Sequence, residues 1–429
     1  MKIIFHGAAR EIGKSCIEIQ SQGKRYLLDA GVKFVGRNIQ YPQYLEDIKD
    51  IDAVFLSHAH LDHSGALAFF EKKRLGWPIY STRLTWQITK MLLEDTRHLE
   101  QLRRVRPTFN AKDIWRVEED IAFVEYDKEY KTKDGLMTFR YLNSGHIPGG
   151  ASIYLELEGK KLLYTSDFNT QHTELMIPAQ LSKQCPSVDI LVVEGTYGSR
   201  NHPERIHTQE AFVHSIKTCM NLGGSVLIPV FGVGRSQEVL MNLEPFVGKN
   251  ALYLDGMARD LLDRVLYSND PYIKNKERLE RVSRYVRKVS RTDRERIARE
   301  KGAIIVSTSG MVEGGPAAFY AKEFIEEENN FIILTGYQTN GSQGRSMYDD
   351  HVFFDENDQP VPMQCHMRKF NFSAHLDKDS LHTFLKQVDH KTLILQHGDP
   401  EALDALSMFC EEHLSSRALV PQLGEVMEM

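Results

Sequence analysis

Short apolar runs punctuated by Gly and Asp dominate the first third of the chain. "MKIIFHG", "SCIEIQSQGKRYLLDAG" and "DAVFLSHAH" carry Ile, Val, Leu and Phe in the spacing of half-buried or fully buried strands, with Gly23-Lys24 as the expected hairpin turn. Residues 82–106, "TRLTWQITKMLLEDTRHLEQLRRVR", change to helical spacing and stop ahead of Pro107. Strand patterns resume in "FRYLNSGH", "SIYLELEGKKLLYTSD" and "DILVVEG". After about residue 200, helix and strand patterns alternate, from "ERIHTQEAFVHSIKTCMNLGG" and "SVLIPV" to "AAFYAKEFIEEE" and "NFIILTGYQ". That alternation predicts an α/β unit with a largely parallel sheet. From roughly residue 361 a further segment returns to strand and helix, ending in "KTLILQHGDPEALDALSMFCEEH".

At 429 residues the chain exceeds the usual size of one core, which favours two domains. Charged residues make up 26% and hydrophobic ones 41%, an ordinary globular balance. The formal net charge of -6 gives no overall basic excess, so a nucleic acid would have to be met by a local patch. The run "IKNKERLERVSRYVRKVSRTDRERIAREK" is locally basic and reads either as a solvated helix face or as an electrostatic track for a phosphate backbone. The start "MKIIFHGAAREIG" is interrupted by His6 and Arg10 and is too short for a signal-peptide core or a membrane span, so a cytoplasmic protein without a membrane partner is expected. Five scattered cysteines without a C-x-x-C suit reduced, buried thiols.

The chemistry concentrates in "AVFLSHAHLDHSG", residues 53–65. Three histidines and an aspartate, His58, His60, Asp62 and His63, follow a buried strand and precede the helical run "GALAFFEKKR". In an extended segment residues i and i+2 share a side, while the next two ligand-type residues fall on the first helical turn. Two imidazoles can therefore face one metal with Asp62 and His63 turned to a neighbour, and imidazole with carboxylate suits zinc. An N-cap aspartate on an ordinary loop would account for Asp62 but not for the histidines. Further ligand-type residues stand at other strand ends: His146 in "LNSGHIPGG", Asp167 in "LLYTSDFN" and His397 in "LILQHGD". Singly each reads as a turn or cap residue; together they complete a two-metal set.

This ordered set resembles the metallo-β-lactamase superfamily. Glu194 in "VVEGTYG", His375 in "NFSAHLD" and His397 in "LQHGD", with "FGVGRSQEV", "TSGMVEGGP" and "GYQTNGSQGRSM", resemble the β-CASP branch over essentially the whole chain. "FSAHLD" is closer to the cleavage-and-polyadenylation factor nuclease and its archaeal relatives than to ribonuclease J. Branches acting on DNA typically lack a histidine matching His397, so the resemblance implies RNA as substrate. The implied fold class is α/β: a metallo-β-lactamase αββα sandwich from residues 1–200 and 361–429, with an inserted α/β β-CASP domain at 201–360.

The resemblance also implies roles. One zinc would be held by His58, His60, His146 and Asp167, the second by Asp62, His63, His397 and the same Asp167. A hydroxide formed at such a pair would attack the phosphodiester, with His375 as proton donor oriented by Glu194. On the residues alone, Glu194 reads as a strand-end turn residue and His375 as a helix-entry residue beside Ser373. Asp29 in "YLLDAG" would steady the histidine loop, or is a turn aspartate before Gly31. Arg235, at a helix start, with Ser309 and Gly310 in "TSGMVEGGP" and Ser373, are candidate RNA contacts. Two other classes compete. A lactamase-fold hydrolase of small esters or thioesters leaves the long insertion, Glu194 and His375 without a role. An inactive β-CASP scaffold subunit conflicts with the complete ligand set. Endonuclease and 5'-to-3' exonuclease modes both stay open, as do a homodimer and an RNA-processing complex.

Overall fold

A computed structural model describes the chain throughout except at residues 37, 44–47, 49, 73–75 and 415. Two units emerge: residues 1–171, 178–201 and 374–429 form the first, and 172–177 with 202–373 the second.

The first unit is built on two seven-stranded sheets. One runs in the order Val426–Glu428, Lys2–Phe5, Ile17–Ser21, Lys24–Leu28, Ala53–Phe55, Ile79–Ser81, Ile121–Phe123. The other runs Ala418–Leu419, Asp389–Gln396, Ser187–Glu194, Lys160–Tyr164, Ala151–Leu157, Met137–Asn143, Glu129–Lys131. Alternation along the strands sorts their side chains. Phe5, Ile19, Tyr26 and Phe55 meet Phe139, Tyr141, Ile153, Tyr164 and Val192 in one core between the sheets. The intervening residues Leu27 and Val54 pack outward with Phe70, Trp86, Leu93 and Val117 from helices. On the other side Leu191, Val193, Leu393 and Leu395 pack with Leu381, Phe384, Leu403 and Leu406 of the helices Lys378–Gln387 and Pro400–His413. The result is an αββα sandwich whose inner strands are apolar on both faces, which is why they read as continuous hydrophobic runs.

The second unit holds a six-stranded sheet in the order Val286–Lys288, Ala251–Asp255, Ala303–Ser307, Val226–Pro229, Phe331–Leu334, His366–Lys369, parallel throughout. Helices cover both faces, Arg205–Asn221 and Arg235–Asn242 among those on one and Gly315–Phe324 on the other. Among the described residues no helix is long and apolar enough to cross a membrane.

Several local expectations shift. The hairpin turn is Gln22–Gly23, both residues with positive φ (50° and 77°), because Ser21 pairs with Lys24. The long helix is Arg83–Leu102, begun by the Thr82 cap and closed short of Pro107 by a left-handed Arg104 (φ 57°) and a Val105 N–H to Glu100 O bond of 3.0 Å. The change of unit falls between Ser373 and Ala374 and not after residue 360, since His366–Lys369 pairs with Phe331–Leu334 and Phe372 belongs to the second unit's core. The basic run breaks into the helix Lys276–Ser283, the strand Val286–Lys288 and the helix Arg294–Ala298. Its cations meet carboxylates of the same unit: Arg278 with Glu174 and Glu244, Lys288 with Asp263, Arg294 with Asp255, Lys301 with Glu327.

Candidate active site

The strand Ala53–Phe55 ends in an extended stretch that carries His58, and His60 stands at the N-cap of the single turn Leu61–Ser64. Asp62 and His63 occupy that turn, so Asp62 is not the cap. Backbone bonds clamp the turn from three sides: Ser15 N to Asp62 O at 2.8 Å, Val32 N to Leu61 O at 2.9 Å and Ala30 N to His63 O at 2.8 Å. The clamp requires glycine at 31, where a Cβ would lie 1.6 Å from Asp62 O.

Five imidazoles and two carboxylates converge there. His58 Nε2 and His146 Nε2 each lie 3.2 Å from His60 Nδ1. Asp167 Oδ2 is 3.6 Å from His58 Nε2, 3.7 Å from His146 Nε2 and 3.4 Å from His63 Nε2. Its Oδ1 is 3.3 Å from His397 Nδ1, and His397 Nε2 is 3.4 Å from Asp62 Oδ2. Asp167 thus stands between two donor groups, His58, His60 and His146 on one side and His63 and His397 on the other.

Electrostatics separate the groups. Burial pushes His58, His60 and His146 below the usual imidazole range, leaving neutral donors. Burial also opposes charge on His63, but Asp167 and Asp29 lift it well above that range. His397 is raised despite burial by Asp167 and Asp62. His63 Nε2 and Asp167 Oδ1 are buried and have no hydrogen-bond partner among the described residues. Neutral nitrogens, a carboxylate and two orphaned atoms facing one space are the donor set that divalent transition metals take, so these residues fit metal ions.

The ligand-type residues are held from behind. His146 Nδ1 sits 2.9 Å from Ala374 O, which places its proton there and leaves Nε2 bare. His63 Nδ1 lies 2.7 Å from Asp29 Oδ2. Asp29 also accepts from Ser57 N (2.7 Å), Ser57 Oγ (2.8 Å) and Tyr164 OH (2.8 Å). Beside the ligand group, Glu194 ends the strand Ser187–Glu194, with both carboxylate oxygens 2.9 Å from His375 Nδ1. Phe168 N and Thr196 Oγ1 donate to the same carboxylate at 3.1 and 2.5 Å. Burial works against a charged His375, yet Glu194 and Asp167 raise it to about 9.

Sequence reading missed Ser57, Ser166, Tyr164 and Thr196. Ser166 Oγ donates to Ser57 Oγ at 2.7 Å, tying the residue before Asp167 to the residue before His58. For Ser57 and Ser166, a small hydroxyl residue directly preceding a ligand-type residue, "LSH" and "TSD", is the signal that was available. Arg235, Ser309, Gly310 and Ser373 lie in the second unit. There Arg235 Nη1 donates to Thr335 O, Gly310 O accepts from Gln338 Nε2 at 3.0 Å, and Ser373 O accepts from Arg205.

Comparison with known proteins places three families on this chain. A metallo-beta-lactamase superfamily domain matches residues 18–192, a Beta-Casp domain 236–347 and a Zn-dependent metallo-hydrolase RNA specificity domain 360–421. The chain is 36% identical to Probable RNase MJ4 of Methanocaldococcus jannaschii, over 99% of both chains. It is 30% identical to RNase aCSPSF2 of Saccharolobus solfataricus, over 99% of this chain and 84% of that protein. Cleavage and polyadenylation specificity factor 73 of Drosophila melanogaster is 26% identical over 96% of this chain and 62% of its own length.

Proposed function

The chain belongs to the Beta-Casp branch of the metallo-β-lactamase superfamily, and from that premise we propose that it is a ribonuclease hydrolysing RNA phosphodiester bonds with two zinc ions per chain. The observation that carries the reading is the pair of donor groups joined by Asp167, with the His375–Glu194 pair beside it. His58, His60, His146 and Asp167 would hold one ion; Asp62, His63, His397 and Asp167 the other. Bound ions supply Lewis-acid chemistry, lowering the pKa of water and neutralising charge on phosphoryl oxygens. The preponderance of imidazole favours zinc over magnesium or calcium.

The chain's own groups do the rest. Glu194 keeps the His375 proton on Nδ1 and orients the ring, so Nε2 is the atom that hands a proton to the leaving oxygen. A ring raised to about 9 arrives protonated at neutral pH, the state a proton donor needs. Asp29 keeps a proton on His63 Nδ1 and its Nε2 free. In the second unit Arg235, Ser309, Gly310 and Ser373 are proposed RNA contacts; the buried Ser309 Oγ, which has no protein partner, supports this for Ser309. RNA as the partner is further supported by the ribonuclease names of the relatives and by the matched RNA specificity domain. A cytoplasmic setting, where the buried thiols stay reduced, belongs to the same proposal.

Metal analysis of protein purified without chelator, followed by digestion of 5'-end-labelled RNA resolved by length, tests the reading. Two zinc ions per chain and shortened RNA are expected, and released mononucleotide or internal fragments will tell the mode. A folded, fully loaded protein that leaves RNA intact would refute it.

A further inference from the structure

The strands Ser187–Glu194 and Asp389–Gln396 run parallel with Glu194 opposite Gln396, so both end at the site together. Beyond them the chain segments approach to backbone contact. Gly195 N donates to Gln396 O at 2.8 Å, and a Cβ on Gly398 would lie 2.6 Å from Gly195 O. Gly398 permits an approach that a side chain would block, and Thr196 is thereby set between Glu194 and the ring of His397.

Its hydroxyl oxygen lies 2.5 Å from Glu194 Oε2, 3.3 Å from His397 Nδ1 and 3.1 Å from His397 O. A hydroxyl has one proton and two lone pairs. The short contact to an ionised carboxylate takes the proton, because charge-assisted bonds are the stronger ones. The lone pairs then face His397 Nδ1, which must carry a hydrogen. Asp167 Oδ1 stands 3.3 Å from Nδ1 but makes no hydrogen bond, so it does not compete for that proton.

We propose that Thr196 is a positioning residue that fixes His397 as its Nδ1–H tautomer, presents Nε2 beside Asp62 to the second metal ion, and ties that ligand to the Glu194–His375 proton donor. The proposal rests on the dinuclear reading above. The chain of bonds runs His397 Nδ1–H to Thr196 Oγ1–H to Glu194, with His375 Nδ1–H on the far side of the carboxylate. Removing the hydroxyl leaves the His397 proton free to move to Nε2 and frees one edge of Glu194, so one substitution should disturb both metal affinity and proton delivery.

Thr196→Val keeps the shape and deletes the hydroxyl; Thr196→Ser keeps the hydroxyl. Zinc affinities are measured by competition with a chromogenic chelator, without RNA, and kcat and KM are measured separately on one RNA. For Thr196→Val one of the two zinc affinities should fall about 10- to 100-fold while the other stays, and kcat should fall with KM little changed. The retained ion is the internal control for folding. Thr196→Ser should restore both quantities to within about threefold of the parent. Thr196→Val holding both ions as tightly as the parent, or Thr196→Ser failing like Thr196→Val, overturns the assignment alone. A parent protein that binds a single ion overturns the dinuclear reading and the assignment with it.

Discussion

Asp29→Asn isolates the tautomer logic of the site. The carboxylate is fully buried and accepts four hydrogen bonds, one on Oδ1 from Ser57 N and three on Oδ2 from Ser57 Oγ, Tyr164 OH and His63 Nδ1. An amide of the same shape can satisfy Ser57 N–H with its oxygen, but it then turns an NH2 toward the other three donors. The two hydroxyls can rotate: Ser57 Oγ has Ser166 Oγ and His58 Nδ1 nearby, and Tyr164 OH has Ser15 Oγ at 3.0 Å. His63 cannot rotate its way out. Its proton must leave Nδ1 for Nε2, the atom 3.4 Å from Asp167 that has to be bare to bind a cation. At least one charge-assisted bond is lost, worth about 1.5–3 kcal/mol. At about 2–4 °C per kcal/mol for a unit of this size, the first unit should melt about 3–12 °C lower. Affinity for one zinc ion should fall about 10- to 100-fold. Scanning calorimetry and chelator competition read the two effects separately. A variant that melts lower yet binds both ions as the parent does would refute the reasoning, because the loss would then be structural and not tautomeric.

His375→Ala should leave zinc content and RNA affinity near the parent and cut turnover about 10²- to 10⁴-fold, the range for removing a positioned proton donor; zinc loss like that of His397→Ala would contradict the role. Burial would raise the Glu18 carboxyl, but bonds from His6, Arg25 and Gln20 hold it down at about 2. A depressed folded pKa gives stability that is present above the ordinary value of 4.5 and lost as pH falls toward 2. Denaturant midpoints of the parent should therefore drop more steeply over that window than those of Glu18→Gln, and parallel curves would count against it. Chelation should lower the melting temperature and added zinc restore it, since a ligand at about 1,000 times its Kd adds roughly 4 kcal/mol; identical melting with and without metal would exclude these residues as a metal site.

The metal-type residues were legible because strand ends announce themselves. Each of His58, His146, Asp167 and His397 follows a run of buried apolar residues that marks where a strand stops, and ligand chemistry at such ends stands out against the apolar background. The αββα layering was legible for the same reason, since strands apolar on both faces need cover on both sides. What pattern could not give is contact between segments far apart in sequence. Nothing local to Phe372 says that it packs with Phe212, so the change of unit was placed too early. Nothing local to Arg278 or Arg294 shows Glu174 or Asp255 beside it, so a paired run read as a basic one. Tyr164 illustrates the limit best: it continues a buried strand like its neighbours, and only the fold turns its hydroxyl onto Asp29. The Gln22–Gly23 turn failed on chemistry that was visible, because two positive-φ positions accept a glutamine before the glycine less readily than the turn-favouring residues do.

The site itself works against the fold that carries it. Asp29, Ser166 and His397 all hold positive φ, at 60°, 50° and 50°, a conformation costing L-residues about 1–3 kcal/mol each. His63 Nε2 and Asp167 Oδ1 add buried atoms without partners, about 1–3 kcal/mol apiece. These costs fall on loops that leave separate strands, and the strands are what oppose them. Asp389–Gln396 lies against Ser187–Glu194 inside its sheet, and Val426–Glu428 lies against Lys2–Phe5 in the other. His397 N is bonded to Ala8 O at 2.8 Å, so the last ligand-type residue closes on the first loop of the chain. Of the strained residues, Asp29 and Ser166 are tied to Ser57, and His397 is held by the returning segment. The histidine cluster at residues 58–63 therefore does not complete the proposed two-metal site by itself: the remaining candidate residues arrive when the chain returns from the second unit, adds the sheet strand next to Glu194, and brings His375 and His397 with it.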